Sequence, residues 1–245
     1  MPRFFIPTPT GDRVTLTGEE ADHIGRSLRM RPGETLTLCD GEIDYHATLQ
    51  AVERGMVVLR IDRSHPNRTE PPARITLYQC LPKGDKLETI VRQATELGAS
   101  RIVPVLSRRC VARPDAAAFD KRRVRLQRIA REAAGQSERG RIPEVAPLLP
   151  VERALEGLAG SDLAIFCYEG EGTPLSGLLR TLPASAHPPE IGLLIGSEGG
   201  FDPAEVAAAR MMGIQPITLG PRILRTETAP IAALAILLAA LEGRL

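Results

Sequence analysis

Two glycine-rich segments near the C-terminal end hold the residue types best suited to gripping a ligand. They are Leu194-Ile195-Gly196-Ser197-Glu198-Gly199-Gly200-Phe201 and Leu219-Gly220-Pro221-Arg222-Ile223-Leu224-Arg225-Thr226-Glu227-Thr228-Ala229. Each follows a short apolar run that reads as a strand and leads into a stretch that reads as a helix. A strand, a glycine turn and a helix start leave backbone N–H groups free to face a ligand, and α/β proteins bind at such corners. Two corners so close in sequence point to one cleft. Neither is G-x-x-x-x-G-K-[ST], and the spacing of Gly196, Gly199 and Gly200 is not G-x-G-x-x-G, so neither familiar way of holding a phosphate is indicated.

Other chemistries are poorly provided for. The four cysteines (Cys39, Cys80, Cys110, Cys167) and four histidines (His23, His46, His65, His187) are scattered, with no C-x-x-C or zinc spacing. That argues against a metal site or a disulfide framework and fits a reducing cytoplasm. The start, Met1-Pro2-Arg3-Phe4-Phe5, has no long apolar run, and the longest apolar stretch, Ala229 to Leu241, is shorter than a membrane span. At 245 residues, 43% hydrophobic and 25% charged, the chain has the makings of one large soluble domain or two modest ones. The net charge is only +1, yet residues 101–141 hold twelve Lys/Arg against four Asp/Glu. A concentrated basic stretch in a near-neutral protein is a footprint for a polyanion, or equally a solvated helix face.

The elements that must position the two corners follow from periodicity. The first 70 or so residues show short alternating runs separated by Pro32-Gly33, Asp40-Gly41 and Arg54-Gly55, which predicts a small antiparallel barrel. One helix is expected from Glu19 to Met30, and Ser64 to Pro72 reads as a linker. The domains are therefore expected at 1–72 and 73–245.

From Arg74 the pattern alternates between strand and helix, which predicts a mainly parallel sheet with helices on both faces. Strands are expected at Ile75–Cys80, Ile102–Leu106, Leu163–Tyr168, Ile191–Ile195 and Pro216–Leu219. Helices are expected at Asp85–Leu97, Asp120–Glu138, Val151–Leu158, Pro203–Met212 and Pro230–Leu241. The fourth is signposted by Asp202 as N-cap, Pro203 at the first helical position, Glu205 and a closing Gly213. In the second, Leu126, Ile129, Ala130 and Ala133 form the inward stripe, opposite Lys121, Arg128 and Arg131. The last helix has no polar face, so a deep core position or a subunit interface must cover it.

Read with further landmarks, the chain resembles the RsmE family of SPOUT methyltransferases. Those landmarks are His23 through Met30, Lys83-Gly84-Asp85-Lys86-Leu87-Glu88, Glu96-Leu97-Gly98, Ser107-Arg108-Arg109-Cys110, Glu132 through Val145, and the two glycine corners. Ser197, Ser27 and Gln93 depart from the residues common in the family (Pro, Val and Lys). The resemblance implies a PUA-like RNA-binding β-barrel followed by an α/β domain with a deep trefoil knot. It further implies a cytoplasmic homodimer that uses S-adenosylmethionine to methylate N3 of a uridine in 16S rRNA, within the small ribosomal subunit. Two alternatives stand beside it: a SPOUT methyltransferase acting on another RNA, or a non-catalytic RNA-binding assembly factor.

The cofactor-binding residues implied are Tyr168, Gly196, Glu198, Gly200, Leu219, Gly220, Ile223, Leu224, Thr226, Thr228 and Ala229, with no metal. Uridine N3 carries a proton at neutral pH, so its methylation needs a base or stabilisation of the anion. Arg225 is suited to the anion, and Glu198 or Glu227 to the proton. Against those roles, Glu198 would cap the following helix and Arg225 would pair with Glu227. RNA contacts are expected from Arg3, Arg26, Arg29 and Arg31 in the small domain, and from Lys83, Lys86, Arg108, Arg109, Arg139 and Arg141. With so few aromatic residues, recognition of RNA shape and phosphates is expected rather than extended base stacking.

Overall fold

The computed structural model describes residues 1–170, 172–178 and 187–243. The chain forms two units: Met1–Glu70 with Ala134–Arg141, and Pro71–Ala133 with Ile142–Leu245.

The first unit contains β1 (Arg3–Phe5), β2 (Arg13–Thr17), α1 (Glu19–Asp22), β3 (Thr35–Cys39), β4 (Ile43–Glu53) and β5 (Met56–Pro66). They form one sheet in the order β1-β3-β4-β5-β2, antiparallel except for the parallel pair β1–β3. The expected turns are tight: Gly33, Gly41 and Gly55 all adopt positive φ, which glycine alone takes without steric cost. The expected helix from Glu19 is broken up. After one α-turn it widens into a π-turn over His23–Ser27 and ends where Arg29 turns left-handed at φ 53°. Strand β5 continues to Pro66, because Ser64 and His65 pair with Tyr45 and Asp44, so the first residues of the expected linker are sheet.

A single boundary near residue 72 also misses a long-range addition to this unit. Ala134–Arg141 is held there by Glu70, whose carboxylate accepts from Arg139 Nε (3.2 Å) and Nη2 (2.8 Å) and from the backbone N–H of Gly140 and Arg141. Arg3 donates to both carboxylate oxygens of Asp44 (2.8 and 2.7 Å) and to the Arg139 carbonyl (3.2 Å). The Arg3 and Arg139 side chains are only 5% and 3% exposed. Both arginines are therefore spent inside the unit rather than available to RNA phosphates.

The second unit continues with β6 (Arg74–Cys80), α2 (Lys86–Glu96), β7 (Arg101–Leu106), α3 (Ala116–Gln136), β8 (Glu144–Val145), β9 (Leu149–Pro150) and α4 (Val151–Ala159). It closes with β10 (Leu163–Cys167), β11 (Thr173–Pro174), α5 (Leu175–Leu178), β12 (Glu190–Ile195), α6 (Pro203–Met211), β13 (Gln215–Thr218) and α7 (Ala229–Leu241). Among the described residues its strands run β11-β13-β10-β12-β6-β7-β8, with β9 also on β7, and every pair is parallel. The inner strands β6, β7, β10 and β12 are short, mainly apolar and buried runs, as expected where helices cover both faces of a sheet.

Helix α3 starts at Ala116, ahead of the expected Asp120, because Asp115 accepts the Ala118 N–H (2.7 Å) and Phe119 is buried in the first turn. Its inward stripe is as read: Leu126, Ala130 and Ala133 are buried and Ile129 packs against the core. Helix α7 buries Ala233, Leu234, Leu237 and Leu238, while Ile231, Ile236 and Leu241 stay partly exposed within one chain. Among the described residues no helix is long and apolar enough to cross a membrane.

The Arg3–Asp44 pair should contribute to the acid response of the first unit. Burial pushes the Asp44 carboxyl up, but hydrogen bonds from Arg3, Cys39 and Asn67 outweigh it and hold the carboxyl below its ordinary range. A depressed carboxyl stabilises the fold above the unfolded value, near pH 4, and loses that contribution as pH falls further. Asp44→Ala strands a buried guanidinium and is expected to cost about 3–5 kcal/mol at pH 7, with a smaller penalty on acidification. Urea melts of both proteins at pH 7 and pH 3.5 check this. A cost that is small, or equal at the two pH values, contradicts it.

Candidate functional site

Three loops meet at the carboxyl ends of three neighbouring strands. Strand β10 lies between β12 and β13, so the turns after Cys167, Ile195 and Thr218 emerge side by side. In open parallel sheets ligands bind outside those ends. A cavity of about 320 Å³ opens there, within the size range of small-molecule sites. Its walls include Tyr168 and Glu169 from the first loop, Gly196, Ser197, Gly200 and Phe201 from the second, and Leu219 through Leu224 with Thr226 and Ala229 from the third.

Of the eleven expected cofactor residues, nine line this cavity: Tyr168, Gly196, Gly200, Leu219, Gly220, Ile223, Leu224, Thr226 and Ala229. Ile223 does so from the rim, 78% exposed. Glu198 and Thr228 are not part of the wall; Thr228 stands exposed at the N-cap of α7. Phe201 and Arg222 also line the wall, although neither is among the individually expected cofactor residues. Phe201 lies edge-on to Phe166, and its ring sits against Gly196, where a Cβ would approach it to 3.3 Å. The only advance signal was the position of Phe201 directly after the glycines.

Backbone geometry explains the glycines. Gly200 has φ +67°, and its N–H returns to the Ser197 carbonyl at 2.9 Å. A Cβ there would sit 2.9 Å from a Glu169 carboxylate oxygen, the far end of an exposed side chain that can swing aside, so it is the positive φ of the turn that requires glycine. Gly220 has φ +106° but open space around it, so the turn alone selects glycine there.

Buried polar contacts stitch the loops together. Thr226 Oγ1 donates to the Gly196 carbonyl (2.7 Å) and accepts from Gln79 Nε2 (3.1 Å), tying both glycine segments to the end of β6. Asp202 and Glu205 form the expected capping box on α6. The other Glu205 oxygen accepts the Arg108 N–H at 2.8 Å, and Arg109 Nη1 donates to the Gly199 carbonyl at 3.1 Å. The 107–110 turn is thereby fastened to the second loop.

The acids beside the cleft are placed differently from both simple alternatives. Glu198 does not cap α6. Its oxygens accept the Lys83 N–H (3.2 and 3.3 Å) and the Lys86 ammonium (2.9 Å). Glu227 does not pair with Arg225 but approaches the same ammonium at 3.0 Å, an ionic contact rather than a well-directed hydrogen bond. Burial pushes the Glu198 carboxyl up, and Lys86 together with backbone N–H groups more than reverses this, leaving it below its ordinary value. Glu227 is likewise held low against its burial by backbone hydrogen bonding, Lys86 and the charge of Arg225. The exposed Arg225 side chain has no hydrogen bond or ion pair among the described residues.

The remaining expected RNA contacts divide. Arg26, Arg29 and Arg31 are exposed in the first unit, with Arg26 3.3 Å from Asp22. Arg141 is half exposed and 3.8 Å from Glu42. In the second unit Lys83, Arg108 and Arg109 are exposed, whereas Lys86 is taken up by the two glutamates. Among the described residues no group of three or more His, Cys, Asp or Glu is placed to hold a metal ion.

Comparison with known proteins covers both units. Residues 69–238 match the family of RNA methyltransferase domains, and residues 16–62 match the PUA domain of RNA methyltransferases. The ribosomal RNA small subunit methyltransferase E of Bacillus subtilis is 36% identical over 90% of this chain and 87% of its own length. That of Synechocystis is 38% identical over 94% and 74%. The crystal structure of the Neisseria gonorrhoeae protein of that name, bound to S-adenosyl methionine, superposes with a TM-score of 0.83 at 34% identity, covering 96% of both chains. With a PUA-like first domain and a parallel-sheet methyltransferase domain, the chain belongs to the ribosomal RNA small subunit methyltransferase E family.

Proposed function

We propose that this chain uses S-adenosylmethionine to methylate N3 of a specific uridine in 16S rRNA. The observation that carries this reading is the three-loop cleft at the β10, β12 and β13 ends, in the fold of a relative whose structure holds S-adenosyl methionine.

The residues present fit such a ligand. The cavity joins apolar wall (Phe201, Ile217, Leu219, Leu224) to backbone at Gly196, Gly200 and Gly220. Ser197 Oγ, buried and without a hydrogen-bond partner among the described residues, belongs to the same wall. When bound, the ligand would supply a methyl group on a sulfonium, the C–S bonding pair staying on sulfur to give a neutral thioether. The protein's work is then alignment, charge and proton removal. Tyr168 and the glycine turns hold the donor, and Thr226 keeps the two glycine segments in register. Arg225 faces the negative charge that develops on a uracil oxygen, as an oxyanion-stabilising cation does. Glu198 and Glu227, both held ionised, are the proton acceptors at hand.

Several finer features belong to the same proposal. The loops after β12 and β13 form a trefoil knot. The partly exposed apolar side of α7 packs against a second copy in a homodimer. The protein works in the cytoplasm on the small ribosomal subunit. Arg26, Arg29, Arg31, Lys83, Arg108, Arg109 and Arg141 contact rRNA phosphates.

Mass spectrometry of small-subunit rRNA from a deletion strain tests the whole reading: the N3-methyluridine should disappear, and its persistence refutes the assignment. Arg225→Ala is expected to lower the rate of methyl transfer by about 10²–10³-fold with cofactor affinity, measured by calorimetry, nearly unchanged. A large loss of affinity would make Arg225 a binding residue. Gly200→Val should lose detectable cofactor binding in the same experiment, because a β-branched residue is strained at φ +67° and adds bulk to the cavity wall that Gly200 forms. Unaltered affinity would put the donor elsewhere.

A further inference from the structure

Lys86 was expected among the RNA contacts, yet its ammonium bridges two carboxylates that arrive on different loops. Glu198 comes from the segment after β12 and Glu227 from the segment after β13, at 2.9 and 3.0 Å from the same nitrogen. Lys86 itself is the first residue of α2, so a third element is bound into the contact. All three side chains are only partly exposed, at 31%, 27% and 25%. We propose that Lys86 is a positioning residue that couples Glu198 and Glu227 into one proton-accepting unit beside the cleft. The inference rests on the reading that a uridine N3 proton is removed at this place.

The charge count gives the unit its purpose. Two carboxylates and one ammonium carry one net negative charge, the amount that one arriving proton cancels. The N3–H bond breaks, its electron pair stays on N3 to form the new N–C bond as the donor's methyl–sulfur bond would break toward sulfur, and the proton ends on a carboxylate oxygen. The ammonium then keeps its pairing with the other carboxylate, so accepting the proton leaves no charge of the unit unpaired. Without Lys86 the two carboxylates face one another uncompensated, and one takes up a proton before substrate arrives.

The other charges nearby do not replace it. Lys83 offers Glu198 its backbone N–H, and Arg109 is directed to the Gly199 carbonyl. Arg225 acts on Glu227 through its charge only. The directions of the individual titrations agree with the geometry, since Lys86 is raised chiefly by its contact with Glu198 and then by that with Glu227, and both acids are lowered.

The test compares Lys86→Met with Lys86→Arg in the full chain, each first shown to be folded by circular dichroism. Carbon-13 NMR of labelled glutamate carboxyls in the ligand-free protein should show one of the two groups rising by about 1–3 pH units in Lys86→Met. Lys86→Arg should keep both low. The acid limb of the pH profile of methyl transfer should move upward in Lys86→Met, with the KM for S-adenosylmethionine within a few-fold, and return in Lys86→Arg. Unmoved carboxyl titrations overturn the proposal. So does an equal activity loss in both variants with no change of pH profile. If the wild-type protein transfers no methyl group, the functional reading fails, while the carboxyl titrations still decide whether Lys86 couples the pair.

Discussion

The parallel pairing of β10 with β12 on one side and β13 on the other is the constraint from which the site follows. Parallel strands present all their carboxyl ends at one edge of the sheet, so three chain segments distant in sequence must turn there together. Short turns at that edge expose backbone N–H groups, and glycine recurs there for two reasons: close neighbours at 196 and 199, and a positive φ at 200 and 220. A cleft built this way needs few charged groups to hold a ligand. It does need its loops fixed relative to one another.

That fixing is done by polar side chains whose burial makes each contact costly to break. Thr226 spans from the Gly196 carbonyl to Gln79, and both Thr226 and Gln79 are buried. Glu205 caps its own helix with one oxygen and holds the 107–110 turn with the other. A buried hydrogen-bonding group left unpaired costs about 1–3 kcal/mol, so these links set the loops more firmly than the exposed ion pairs of α3 set that helix. Lys86 adds an electrostatic link at the rim, where it draws the two acidic loops together instead of letting them repel.

Much of this was legible in the sequence, for identifiable reasons. The main strands and helices of the second unit announce themselves by apolar runs and by caps such as Asp202, Glu205 and Gly213, which act locally. Nine of the eleven expected cofactor residues line the cleft because a strand followed by a glycine turn constrains where its residues can point. The failures are nonlocal. Arg3, Arg139 and Lys86 were read as RNA contacts from residue type, and their carboxylate partners lie 41, 69 and 112 positions away or more. Periodicity carries no record of such pairings. Nor does it show that Ala134–Arg141 returns to the first unit, since Glu70 draws it there through one side chain. The π-turn after α1 likewise leaves no compositional mark.

The central claim, that three loops at one sheet edge jointly hold the methyl donor, is open to a direct measurement. Amide hydrogen exchange of the full chain, with and without S-adenosylmethionine, should show protection concentrated in residues 167–170, 195–201 and 217–229. Protection at all three segments together is the predicted result. Protection confined to one loop, or appearing in the first unit while these loops exchange unchanged, would contradict the account.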